Sequence, residues 1–286
     1  MTRSTPGLHV ALMGIDGVGK TTLTRELAEL AQSQGLRVRT VSWRSVVEGD
    51  DPPDFPRNEL RRLWVQSFRA NFAGATTPDG KPVELPADFE DLYARGGTEY
   101  LNGASLHGMK ASGALASAWI ELAANTLLHR AIVKELVSEG YLVLQESYGY
   151  KHLVKLFAFA EHLSPESAQA AHTGRSLVAD YFGRILKPDV GLYVHGSPRL
   201  ALTWRRQQSG IGTFETFSSA GSDADASFLE LQERTGAAFA EFAEKYGWAR
   251  VDMVDGPRGE NRTRAVAALA DTRLGQLLDL SQMGSH

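Results

Sequence analysis

The chain has no cysteine, which excludes a disulfide framework, a thiol nucleophile and a thiolate metal site. It also has no apolar run near the ~20 residues of a membrane-spanning helix. The segment Met1–Gly7 is polar and leads straight into a strand-like run, so no signal peptide is read there. An excess of one charge is missing too: 30 Lys and Arg face 34 Asp and Glu, for a net charge of −4. That balance excludes a polybasic binder of nucleic acid or of anionic lipid. His107, His152, His162 and His172 have no metal-ligand spacing. The expectation is a soluble, cytoplasmic protein with no nucleic-acid and no membrane partner.

What is present suits a full hydrophobic core: 286 residues, 43% hydrophobic and 22% charged, room for one large α/β domain or two small ones. Short apolar runs alternate with helical patterns, the rhythm of a parallel sheet with crossover helices. Strands are expected at Leu8–Met13, Arg37–Ser42, Tyr141–Gln145, Val190–His195 and Ala249–Val254. Helices are expected after Lys20 (Leu23, Leu27, Leu30), over Ser112–Glu139, Lys151–Leu163, Pro165–Leu186 and Pro198–Gln208, up to Tyr246, and from Glu260. From Glu48 to Ala111 prolines and glycines break this rhythm around one helical piece, Glu59–Phe72. With too few apolar residues for a core of its own, that region reads as an insertion at about 48–111 within a single domain of residues 1–283. Gly284-Ser285-His286 reads as the stub of an expression tag.

Gly14-Ile15-Asp16-Gly17-Val18-Gly19-Lys20-Thr21 fits G-x-x-x-x-G-K-[ST] in full, between an apolar strand and an amphipathic helix. Glycines let backbone N–H groups curl around phosphate oxygens, and the helix N-terminus adds partial positive charge. Lys20 is expected on the β/γ-phosphates and the Thr21 hydroxyl on Mg²⁺. The pattern specifies a nucleoside-triphosphate site made of Gly14, Asp16, Gly17, Val18, Gly19, Lys20, Thr21 and Thr22. No N-K-x-D guanine motif is present, which excludes the common GTPases. The strand Leu142–Gln145 ends on a carboxylate, Glu146, which suits a small-molecule kinase and leaves an ATPase switch as an alternative.

Three blocks resemble the thymidylate kinases and their deoxynucleoside-kinase relatives: the loop GIDGVGKTT; Val143-Leu144-Gln145-Glu146-Ser147-Tyr148; and KPDVGLYVHGSPRLALTWRR, Lys187–Arg206. The resemblance spans about three quarters of the chain. It implies a five-stranded parallel sheet of order 2-3-1-4-5 with helices on both faces, ATP and Mg²⁺ as cofactors, and a lid after Trp204 that brings Arg205 or Arg206 onto the transferring phosphate. It also implies that Asp255 and Pro257 lie near the adenine, that Glu146 serves catalysis and the metal, and that the chain pairs as a homodimer. Helix-end solvation is the alternative for the two arginines.

Departures from that family gather on the acceptor side. Ser147 follows the strand-end acid where the family has Arg; Asn125 and Thr213 stand where Arg is usual; β-strand four ends in His195-Gly196; and Trp43-Arg44-Ser45 replaces an arginine turn. A phosphate acceptor needs cations to hold it, whereas an alcohol needs a carboxylate to take its proton. Keeping Glu146 while losing cations tilts the acceptor toward a hydroxyl, with Arg44, Arg61, Arg62 or Lys110 as replacement cations. Glu121, Asn125 and His129 recur every four residues, giving either a polar wall of the acceptor pocket or a solvent-facing stripe. Trp119 and Tyr148 are candidate stacking partners for the acceptor, with Asp16, Arg44 and Glu146 beside them. His195 reads first as a packing residue. The expected function is Mg²⁺-dependent phosphoryl transfer from ATP to a nucleoside or nucleotide-like small molecule. A kinase of a non-nucleotide alcohol and a hydrolytic switch remain the rivals.

Overall fold

The computed structural model describes residues 7–49, 54–77, 79–97, 100–101, 107–208, 210–217 and 223–282. Strand β1 (Leu8–Met13) and helix α1 (Lys20–Ser33) come first, followed by β2 (Val38–Val41), α2 (Trp43–Glu48), α3 (Asp54–Asn71) and α4 (Phe89–Ala94). Helix α5 (Ala111–Leu128) runs through a π turn, His129–Val133, into α6 (Lys134–Ser138). Then come β3 (Leu142–Gln145), α7 (Tyr150–Leu163), α8 (Ala168–Arg184), β4 (Val190–His195), α9 (Pro198–Gln207), α10 (Ala224–Tyr246), β5 (Ala249–Asp252), α11 (Arg258–Leu269) and α12 (Arg273–Leu277). The five strands form one parallel sheet of order β2-β3-β1-β4-β5, flanked by helices. Among the described residues no helix is long and apolar enough to cross a membrane.

All six residues of β1 are buried, as a central strand covered on both faces requires. Its one polar side chain, His9, is satisfied internally: Nε2 lies 3.0 Å from Gln145 Oε1 on the neighbouring strand. Both neighbours of β1 come later in the chain, so the sheet has its switch point there, and the crevice outside the carboxyl ends of β1 and β3 is where such sheets bind ligands.

Several boundaries differ from the sequence pattern for identifiable reasons. Strand β2 stops at Val41 because Ser42 caps α2: its hydroxyl accepts from the Ser45 N–H while the Ser45 hydroxyl accepts from the Ser42 N–H. Trp43-Arg44-Ser45 is therefore the first turn of a helix. The helix expected over Ser112–Glu139 is interrupted by the π turn, and Gly140 ends it with a φ of 84°, where an L side chain is strained. The helical piece of the insertion starts earlier, at Asp54, with a break at Phe55.

The insertion shares its apolar cluster with the sheet and α5. Leu60, Trp64, Val65, Phe68 and Phe72 pack with Ala124, Leu128, Ile132 and Val143. Helix α3 lies so close on α5 that a Cβ on Gly113 would stand 2.3 Å from the carbonyl oxygen of Ala70. One turn further, Ser67 Oγ and Ser117 Oγ are 2.8 Å apart. Small residues at the crossing let two backbones approach and leave a cavity beyond it. Gly113→Val, which thrusts a branched side chain against backbone that cannot rotate away, is expected to destabilise the protein by about 1–3 kcal/mol. Urea unfolding measures this, and an unchanged midpoint would contradict the close crossing.

Candidate functional site

Between β1 and α1 the chain turns through Gly17 and Gly19 at φ 77° and 91°, values that favour glycine. Gly14 is required by space instead, since a Cβ there would meet the Val194 carbonyl oxygen at 2.2 Å. Val18 sends its side chain into the core, leaving backbone to face outward. Lys20 opens α1 and folds back, its ammonium donating to the Ile15 carbonyl at 2.6 Å. Burial pushes the Lys20 pKa well below the usual lysine range; Lys151 adds to this and Asp16 opposes it. The Thr21 hydroxyl donates to Glu146 Oε1 at 2.5 Å, joining the loop to the end of β3. Thr22, the next residue of α1, is half-buried.

Beside the loop lies a cavity of about 510 Å³, lined by Asp16, Arg44, Glu121, Glu146, Lys151, Lys155, Arg205 and aromatic side chains among others. Its floor is an ion cluster. Asp16 is buried between the ammoniums of Lys151 and Lys155, which stand one turn apart on α7; Lys151 donates to Oδ1 and Lys155 pairs with Oδ2. Burial alone would raise the Asp16 carboxyl; Lys151, Lys155 and Lys20 outweigh it and hold the group well below the carboxylate range. The Asp16 N–H donates to Gln232 Oε1 at 2.9 Å. Lys155 also donates to the Phe214 carbonyl at 3.0 Å. Burial lowers its pKa against the pull of Asp16. The segment that carries Phe214 is held again by Arg205, which grips the Glu215 carboxylate with Nε to Oε2 at 2.8 Å and with Nη2 to Oε1.

The opposite wall comes from α3 and α5. Trp64, Ser67, Phe68 and Asn71 have i, i+3, i+4, i+7 spacing, one face of α3, and all four line the cavity. Ser67 donates to Glu121 Oε1 at 3.0 Å. Burial raises the Glu121 carboxyl to about 7, opposed only by that hydrogen bond.

The residues expected at the site divide sharply. Gly14 to Thr22, Arg44, Glu121, Glu146 and Arg205 are gathered on the loop or around the cavity. Tyr148 is not: its ring is in the core against Phe182 and Trp248, and its hydroxyl donates to the Phe182 carbonyl at 2.9 Å. Trp119 packs edge-on against Phe157 and is exposed on its other side, away from the cavity. Asn125 is buried and donates to the Glu121 carbonyl at 2.8 Å; His129 is buried beside His9. Four-residue steps turn a helix by about 40° each beyond a full circle, so of Glu121, Asn125 and His129 only Glu121 lines the cavity. Arg206 turns outward to Asp225. Asp255 and Pro257 are exposed after β5, with Pro257 preceding α11. His195 shares a 3.1 Å contact with the Tyr193 hydroxyl, a packing role.

Of the expected replacement cations, Arg44 lines the cavity and the other three do not. The Arg61 guanidinium lies over the Phe89 ring, with Nε donating to the Val47 carbonyl; Arg62 pairs with Glu59; neither these nor Lys110 lines the cavity. Lys151 and Lys155 do, although their i, i+4 spacing just after Glu146 reads by itself as a solvated helix face. The segment after Trp204, expected as a lid, is anchored on both sides of residues 218–222. Phe217 is buried and stacks on His162 at 4.2 Å, and α10 already begins at Ala224. Residues 218–222 lie outside the described residues.

No protein-family model matches the chain, and no curated protein matches it in sequence.

A carboxyl whose pKa is raised by folding lowers stability as pH climbs from its unfolded value through its folded one. Glu121 has that character, with a folded value of about 7. Glu121→Gln is therefore expected to unfold at a higher temperature than the parent at pH 8, and by a much smaller margin at pH 5. A difference that stays constant across this range would refute the burial of that carboxyl.

Proposed function

We propose that the chain is a cytoplasmic, P-loop, Mg²⁺- and ATP-dependent kinase, similar to the thymidylate kinase-like enzymes, whose acceptor is a small molecule in the cavity beside the loop. One contact carries the reading: the Thr21 hydroxyl on the loop meets Glu146, and Glu146 also lines that cavity. A nucleotide side and an acceptor side thus share one carboxylate.

The residues suit both cofactors. A cradle that a Cβ would fill at Gly14 and left-handed turns at Gly17 and Gly19 present backbone N–H groups as phosphate ligands. Mg²⁺ binds with one or two carboxylates plus phosphate oxygens and water, and Thr21 with Glu146 is a donor pair of that kind. Among the described residues no larger cluster of His, Asp or Glu competes for a metal. When bound, ATP supplies the phosphoryl group and Mg²⁺ offsets its charge.

The protein's own groups then have definite tasks. Lys20, resting on the Ile15 carbonyl, is a side chain in reserve for a phosphate oxygen. Arg205 stands over the cavity, with its guanidinium oriented by Glu215. Glu146 accepts the proton of an acceptor hydroxyl as the new bond forms. Lys151 and Lys155 make up the cations that the arginine losses removed, so cation count no longer favours a hydroxyl over a phosphate; the hydroxyl reading rests on Glu146.

Acceptor-dependent ADP release across nucleosides, monophosphates and sugar alcohols tests the assignment. Lys20→Ala is expected to cut turnover by about 10³-fold, of the order lost with one oxyanion-type donor, while the protein stays folded. Near-normal turnover in that variant would sink the kinase reading. Glu146→Gln keeps shape but cannot take a proton, and a fall of about 10²–10⁴-fold is expected on the best acceptor. Unchanged turnover would remove Glu146 from the mechanism.

A further inference from the structure

The two ends of the cavity differ in electrical character. Cations crowd its floor beside the loop, where Lys151, Lys155 and Arg205 line it. The far wall carries a carboxylate, Glu121, and a buried acceptor with no donor, Asn71 Oδ1. Among the described residues Glu121 receives one hydrogen bond, from Ser67, and Ser67 in turn contacts Ser117. Among the described residues no Lys or Arg pairs with Glu121; burial raises its carboxyl and the Ser67 hydrogen bond opposes this. One turn along α3 from Ser67, Asn71 is 2% exposed, and its Oδ1 is buried with no hydrogen-bond partner among the described residues. Such orphan acceptors are costly unless something donates to them. Trp64 and Phe68 line the same wall, and aromatic faces attract positive charge.

We propose that the wall of Glu121 and Asn71, with Trp64 and Phe68 beside it, binds a protonated amine on the acceptor. This inference rests on the reading of the cavity as the acceptor site and names the chemical class of its substrate: an amine-bearing molecule whose other end presents the reacting group to Glu146. An ammonium group brings three N–H donors and a charge, which supplies what the two side chains lack. A hydroxyl brings one donor and no charge. Placement at the far wall keeps the ammonium apart from the lysines of the floor.

The test uses benzylamine and benzyl alcohol, which share a ring and differ in the group offered to Glu121. Protein saturated with Mg²⁺ and a non-hydrolysable ATP analogue is titrated with each by calorimetry, after affinity for the analogue has been measured alone. That first affinity reports the nucleotide site, so its failure would strike the kinase reading and not this one. Benzylamine is expected to bind about tenfold or more tightly than benzyl alcohol, a factor of ten being one ordinary charged contact, and Glu121→Gln is expected to abolish the difference. In the unaltered protein the Glu121 side-chain carboxyl ¹³C resonance is expected to shift as benzylamine is added, a readout that does not depend on the variant folding. Equal binding of the two probes, no benzylamine binding at millimolar concentration, an unmoved resonance, or a preference that survives Glu121→Gln in a folded protein would each overturn the proposal.

Discussion

The sharing of one buried carboxylate by two lysines is the interaction on which the geometry of the site depends. Asp16 belongs to the glycine loop, Lys151 and Lys155 to α7. Lys155 reaches onward to the Phe214 carbonyl, and Gln232 of α10 both accepts from the Asp16 N–H and donates to the Glu215 carbonyl. A loop, two helices and a crossing segment are thus tied at a single point. Removing charge from water costs several kcal/mol per ion unless partners replace the lost hydration, so none of these elements can leave alone without stranding a charge. Rigidity at the loop follows from electrostatics as much as from packing.

That arrangement is also unequal. Two ammoniums face one carboxylate, and Lys20, a third, has a backbone carbonyl as its hydrogen-bond partner. Mutual repulsion and burial depress Lys20, and any anion brought to the loop would relieve both. The floor is therefore held short of neutrality in the direction that suits phosphate. At the other wall burial raises the Glu121 carboxyl instead, with Ser67 as its hydrogen-bond donor. Helix α5 makes this separation possible: its small residues Gly113 and Ser117 let α3 approach closely, so the acid is carried away from the lysines on a wall of its own.

Local features of this site were legible in the sequence; those that depend on distant backbone were not. The loop from Gly14 to Thr21 could be read because its spacing is itself the mechanism, and Glu146 because a carboxylate at a strand end beside β1 has few other places to be. The strand order could be expected from the resemblance, and the sheet has it. Tyr148 was misread because its position is decided by carbonyls at the end of α8, Phe182 and Leu186, more than thirty residues away. Lysines four apart on a helix look like a solvated face, and nothing local to α7 says that Asp16 will be buried between them.

Arg205 and Arg206 show how little separates a site residue from a surface one. They are adjacent in sequence at the end of one helix, yet about 100° of helical rotation divides them. Arg205 turns inward, where Glu215 holds its guanidinium along two edges; Arg206 turns out to Asp225 and stays 62% exposed. The inward pair is also what folds residues 210–217 back over the cavity, since Glu215 accepts from the Gly212 N–H as well. A carboxylate that orients an arginine and closes a turn with the same oxygen couples the shape of this segment to the position of the cation. Whatever draws Arg205 toward the cavity must therefore compete with Glu215, and the segment over the cavity responds when it does.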